Sequence, residues 1–315
     1  MTSATQSGRP AASAAASPNQ LRRHEWLTLL HRAAASRRGA IGLSLAGLVA
    51  LVAVVGAIWT PCSPTAFLYA PLQKPSVQAL LGGDYLGRDV LSRVLAGGWV
   101  LLVMAVAATV IGVSFGAFQG IEAAYLGGRT DTVIMRGMDV FLAFPAIVLA
   151  LLIVGTVGPK LWLIVLAVGL GHVPQVARVM RAAALDIAER DYVKAVELQG
   201  VKPTRIITGE ILPNLVSPLM VELGLRLTYS IVIIAGLSFL GFGQQPPAPS
   251  WGNMISENRI GLQTNPWAVI VPAALIALLA IGTNLFADAV ARAAIGADRQ
   301  VEQAFVRTEA AKAAQ

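Results

Sequence analysis

Asp186-Ile-Ala-Glu-Arg-Asp-Tyr-Val-Lys-Ala-Val-Glu-Leu-Gln-Gly200-Val-Lys-Pro-Thr-Arg-Ile-Ile-Thr-Gly-Glu-Ile-Leu-Pro213-Asn214 is a polar island in a very apolar chain. Wound on a helix at about 100° per residue, Ala188, Tyr192, Val193, Ala195 and Val196 share one arc, and Arg190, Asp191, Lys194 and Glu197 take the opposite one. Gly200 stands where a C-terminal cap belongs, and Pro203 can open a second short helix. Two short amphipathic helices at a bend admit two readings. They form either a docking element that moves with the apolar segments around it, or a hairpin packed on its own bundle.

The surrounding composition decides what kind of bundle this is. Of 315 residues, 56% are hydrophobic and only 13% charged, and the mean hydropathy is +0.66. These values exclude an ordinary soluble domain and predict an all-α, polytopic membrane protein. Six stretches low in charge follow one another, at about 41–60, 97–120, 140–156, 161–177, 213–240 and 267–287. At about 1.5 Å per residue each spans the roughly 30 Å of a hydrocarbon core, the fourth only just. The single cysteine, Cys62, excludes an intrachain disulfide and a cysteine-based metal cluster.

Charge sets the orientation. Lys and Arg number 24 against 17 acids, a net +7. Placing both termini in the cytoplasm puts eighteen basic residues on the inner side and five outside, with Arg226 inside a span. The excess is thereby explained without a nucleic-acid partner. The same split puts the loop around Gly200 in the cytoplasm. Residues 1–20, rich in Ala, Ser and Pro, read as a disordered tail. Residues 21–38 carry Arg22, Arg23, Arg32, Arg37 and Arg38 around Trp26, Leu27, Leu29 and Leu30, which suits a helix on an anionic lipid face. The domain reading is then 1–40 tail and amphipathic segment, 41–60 first span and 61–96 outer loop. Residues 97–290 form the core, with its inner loop at 186–212, and 291–315 a cytoplasmic tail.

Polar groups at membrane depth cost several kcal/mol unless they are satisfied or face water, so they are functional candidates. Glu222 and Arg226 lie one helical turn apart and can pair. Three roles are open to them: lining a pathway, contacting a second subunit, or neutralising each other. His172 beside Pro174 marks a bend or a packing site. Gly112, Gly116 and Gly120 form a smooth stripe for close helix packing. There is no nucleotide-cradling glycine loop, no HExxH, no GxSxG and no paired metal-ligand spacing, so no enzyme activity is signalled. Energy must therefore come from elsewhere, and the amphipathic loop is the element that advertises a soluble energising partner.

Gly200 followed twelve and thirteen positions later by Leu212-Pro213 resembles the "EAA" loop of ABC importer permeases. Asp191-Tyr192-Val193 before it and Ile211-Leu212-Pro213-Asn214 after it are similar to the dipeptide/oligopeptide/nickel branch of that family. Lys194 and Val196 depart from the motif, standing where it has Glu and its last Ala. Asp84-x-x-Gly87-Arg88-Asp89-x-x-Ser92-Arg93 resembles another signature of the branch, as do Gly127-Gly128-x-x-Asp131 with Asp139–Pro145, and Ser238–Met254 with Pro246, Pro247, Pro249 and Trp251. On spacing alone, Arg88, Asp89, Ser92 and Arg93 are expected to cluster on a helix surface outside the second span. Trp251 is expected at the interface or against a partner.

The resemblance covers roughly residues 80–300. It implies a six-span, type I ABC importer permease fold in a bacterial inner membrane, working by alternating access. It implies three protein partners: a second, similar permease in a heterodimer, cytoplasmic ATPase subunits, and an extracytoplasmic substrate-binding protein. ATP and Mg would be held by the ATPase, leaving this chain without a cofactor or metal. Asp191, Tyr192, Val193, Lys194, Ala195, Val196, Glu197, Gly200 and Pro203 would then form the element that meets the ATPase. Short peptides come before nickel as the substrate. The competing class is a secondary transporter driven through Glu222, His172 and Arg226.

Overall fold

The computed structural model describes residues 25–313, with side-chain surroundings for 27–295. The tail read at 1–20 lies outside the described residues, as does the start of the amphipathic segment. The rest of that segment forms α1 (Glu25–Ala35). Its Ala33 is fully buried against Ala289 and Val290, while Arg32 faces out. Ser36 then caps α2 (Arg37–Ile58), its Oγ accepting from the Gly39 N–H at 3.0 Å.

A folded loop leads to α3 (Val90–Ala96), and Gly97-Gly98 separates it from α4 (Trp99–Leu126). After α4 come α5 (Gly128–Leu142) and α6 (Ala146–Val157), then α7 (Leu161–Ala188). The polar island supplies α8 (Asp191–Leu198) and α9 (Pro203–Ile206). From α9 the chain passes through a π turn at Ile207–Ile211 and a 3-10 turn at Leu212–Leu215 into α10 (Val216–Phe239). The helix that Pro203 opens is therefore the foot of the fifth span rather than a separate short element. A short α11 (Trp251–Asn258) precedes α12 (Trp267–Ala313). That last helix runs unbroken through 291, where the sequence reading began a separate tail.

Among the described residues, five stretches are long and apolar enough to cross a membrane, or six if α5 and α6 count as one span. This pair corrects the third expected span. Residues 140–156 are not one helix: the chain bends by 77° between α5 and α6. Phe144 precedes Pro145, whose ring disfavours helical backbone at the residue before it. The remaining α6, twelve residues, reaches only about 18 Å.

Large apolar side chains such as Leu51, Val110, Phe118, Leu152, Trp162 and Ile281 face outward, as hydrocarbon surroundings require. Inside, α4 and α7 pack closely against each other. A Cβ on Gly112 would sit 2.6 Å from the carbonyl oxygen of Gly169, and one on Gly116 would sit 2.6 Å from Cβ of Val176. The stripe is thus a packing seam.

Two apolar cores stack along this seam. One joins Val90, Leu101, Met104, Ala108, Val168, Ile231 and Trp251, at the end of the bundle that carries residues 61–96. The other joins Val113, Ile121, Val176, Met180, Val193, Ile206 and Leu215, at the opposite end, where the polar island sits.

Candidate functional site

At the polar-island end, α8 is held by few anchors. Val193 is buried in the second core, and Val196 is half-buried against it. Tyr192, Ala195 and Leu198 remain exposed, Leu198 at 89%. The apolar arc expected from spacing is therefore only partly used within the chain. Arg190, Asp191, Lys194 and Glu197 all face out. Gly200 follows the helix with φ +74°, a left-handed conformation that favours glycine, and a Cβ there would meet nothing within 4 Å. The Tyr192 hydroxyl accepts from Asn214 Nδ2 at 3.1 Å, tying the start of α8 to the foot of α10.

Between the two apolar cores lies a polar layer. Glu222 accepts from Arg226 Nε at 2.9 Å, one turn apart on α10, and both are buried. Arg226 Nη1 donates to Gln175 Oε1 on α7. One turn further along α10, Ser230 Oγ bonds His172 Nε2 of α7 at 2.9 Å and accepts from Thr109 Oγ1 of α4 at 3.0 Å. The guanidinium of Arg226 also lies over the Tyr229 ring, 5.4 Å from its centre. Glu222, Arg226 and His172 are thus brought together, facing into the bundle. Arg226 stands ten residues into the 24-residue α10, near the middle of the span.

The sequence reading missed Gln175, Ser230 and Thr109. Ser230 was available as the next step of the i, i+4 stripe that begins at Glu222 and Arg226. Beside the layer, at the bend between α5 and α6, a cavity of about 170 Å³ is lined by Phe144, Pro145, Gly171, Pro174 and Gln175.

The motif at the other end corrects an expectation. Arg88, Asp89, Ser92 and Arg93 do not sit on an exposed helix surface. All are buried, as is Asp84. Gly87, with φ +81°, makes the turn that lets Asp84 take the Arg88 N–H at 2.8 Å and its Nε at 2.6 Å. Asp89 caps α3, taking both the N–H and the hydroxyl of Ser92. Glu257 of α11, absent from the sequence reading, accepts from Arg88 at 3.2 Å and Arg93 at 3.4 Å. Arg93 also donates to the carbonyls of Pro64 and Pro247. Pro246 and Pro247 are exposed. Trp251 lies inside the fold at 0% exposure, rather than at an interface, with Nε1 donating to the Val94 carbonyl at 2.7 Å. These residues hold the segment 61–96 together and leave little of the motif open to another molecule.

The chain is similar to known proteins along most of its length. A family model described as "Binding-protein-dependent transport system inner membrane component" matches residues 112–296. A Brucella suis protein named for a peptide transport system permease is 40% identical over 249 residues, 79% of this chain and 84% of that one. The dipeptide transport system permease protein of Alkalihalophilus pseudofirmus is 35% identical over 253 residues, 78% and 83% of the two chains. The glutathione transport system permease protein of Pectobacterium atrosepticum is 35% identical over 249 residues, 77% and 83%.

Proposed function

Because the chain belongs to the binding-protein-dependent transport system inner membrane component family, a family of transport permeases and not of enzymes, we propose that it is one of the membrane-spanning subunits of an ATP-driven importer of short peptides. It works beside a second, similar permease. Cytoplasmic ATPase subunits bind ATP and Mg, and a binding protein outside the membrane delivers the peptide. Both termini lie in the cytoplasm, on the side where eighteen of the basic residues fall. The relatives named for dipeptide and glutathione transport support a peptide over nickel.

The observation that carries this reading is the surface of α8. Val193 and Val196 seat it on the bundle, while Tyr192 and Ala195 of the apolar arc, and Leu198 outside it, stay open beside a charged face. A helix that only closed its own hairpin would bury that apolar arc. In this reading Asp191, Tyr192, Val193, Lys194, Ala195, Val196, Glu197, Gly200 and Pro203 form the element through which the ATPase pushes. Lys194 offers an acidic partner residue the contact that a Glu at this place would offer a basic one.

The test is reconstitution. The chain is purified with a second permease, ATPases and a binding protein of the same family of transport systems from its own organism, placed in liposomes, and offered labelled dipeptide. Uptake that needs ATP and the binding protein, together with cross-linking from Tyr192 to the ATPase, is the expected result. Ion-driven uptake by the purified chain alone, or cross-links only to its own helices or to lipid, would overturn the reading.

A further inference from the structure

The polar layer bonds the two stems of the α8 loop to each other. α7 enters the loop and α10 leaves it, and Gln175 on one is hydrogen-bonded to Arg226 on the other. A second rung, His172 to Ser230, follows one turn away. Both rungs lie between the two apolar cores, where non-directional contacts give way to directional ones. Packed methyl and methylene groups tolerate small slips, whereas a buried guanidinium held by Glu222 and Gln175 fits one register.

From this geometry we infer that Arg226, Glu222 and Gln175 are positioning residues for transport. They lock α7 to α10, so that displacement of the loop reaches the middle of the membrane as motion of one body. Without the lock, the stems splay and the displacement is dissipated within the loop. This inference rests on the proposed function, and it goes beyond pathway lining or mutual neutralisation. Neutralisation alone would need only Glu222 and Arg226, which share one helix, and would make no demand on Gln175.

The side-chain chemistry allows a clean test. Gln175 carries both an amide acceptor and an amide donor. Exchanging the pair, Glu222→Arg with Arg226→Glu, therefore keeps an ion pair on α10 and still lets Gln175 bond the residue at 226. Replacing both by Met removes the pair in a form that buried sites commonly tolerate. Gln175→Leu, at an exposed position, removes only the link to α7.

In liposomes holding the whole transporter, the quantity to measure is peptide transported per ATP hydrolysed. The inference predicts a fall of about tenfold for the double Met variant and for Gln175→Leu, within the usual range of coupling between sites, with ATP hydrolysis continuing. The exchanged pair should recover most of the ratio. In a Cys62→Ser background, spin labels at Leu170 and Val232 should give a distance distribution that broadens in the Met variant during turnover. An unchanged ratio in Gln175→Leu would overturn the inference. So would failure of the exchanged pair to recover it, or loss of the second permease on purification, which would make these residues an assembly contact. Each of these outcomes is read against a parent that transports. A parent that does not transport sinks the proposed function instead.

Discussion

The carboxylate of Glu257 accepts a hydrogen bond from Arg88, 169 positions earlier in the chain, at 3.2 Å. Arg88 and Arg93 are 2% and 1% exposed, so Glu257 and Asp84 together neutralise two buried guanidinium groups. Glu257→Ala removes one of the two carboxylates and is expected to destabilise the protein by about 3–5 kcal/mol, the usual cost of a buried charge left short of its partner. Glu257→Gln keeps an acceptor and should cost less. Thermal unfolding in detergent measures both, with the exposed Arg259→Ala as a neutral control. A Glu257→Ala protein as stable as its parent would show that the clamp contributes nothing.

The seam between α4 and α7 gives a graded prediction. Gly112→Ala puts a Cβ 2.6 Å from a backbone oxygen, which cannot move without its helix. The helices must separate, and overpacking of this kind costs about 1–3 kcal/mol. Gly155→Ala on α6 meets nothing within 4 Å and should be neutral or slightly stabilising, because alanine favours a helix. The melting temperatures of the two variants should therefore move apart. Equal stability of the two would mean that the seam is looser than its glycines indicate.

Much of this architecture is legible in local sequence. Long apolar runs mark the spans, and three glycines spaced four residues apart mark a tight helix contact. Gly200 and Pro203 mark the end of α8 and the start of α9, because positive φ and a missing N–H are properties of single residues. The pairing of Glu222 with Arg226 is readable for the same reason, being a matter of one helical turn. What is not legible depends on distant partners. The signature around Arg88 looks like a solvated helix end until Glu257, far along the chain, arrives to neutralise it. Glu257 had one signal, as the only acid between positions 223 and 287. The layer joining Thr109, His172 and Ser230 draws on three helices, so no window on the sequence contains it. The break at Pro145 was readable in principle but was hidden by an unbroken apolar run on both sides.

On the proposed function, the loop should separate transport from folding. Gly200→Pro cannot adopt φ +74°, since the proline ring holds φ near about −65°, so the turn after α8 must rebuild. Val196→Asp sets a charge on the half-buried face of α8. Leu198→Asp changes a side chain that is 89% exposed and loses little contact within the chain. All three should reach the membrane, and uptake should fall about tenfold or more, within the typical range of coupling losses. Uptake assays beside immunoblots of the membrane fraction decide the matter. Leu198→Asp is the most telling, because undiminished uptake would leave the exposed apolar end of α8 without a partner.

Trp251 and Gly98 offer a test of the packing at the end of the bundle that carries residues 61–96, by coupling two substitutions. The indole lies against Gly98, where a Cβ would come 2.7 Å from Cη2 of the ring and 2.8 Å from Cβ of Ala53. Gly98→Ala in the parent should therefore be destabilising, by about 1–3 kcal/mol. Trp251→Phe removes the N–H donated to the Val94 carbonyl and should cost about 1–3 kcal/mol through the buried acceptor left behind. It also removes the part of the ring that faces Gly98, so the two changes should not add. With both in place, the penalty should fall short of the sum by about 0.5–3 kcal/mol, as for residues in direct contact. The relief is partial, because Ala53 on α2 still crowds the new methyl group. Strict additivity in the four melting curves would place Trp251 away from Gly98 and undo the packing described for this end of the bundle.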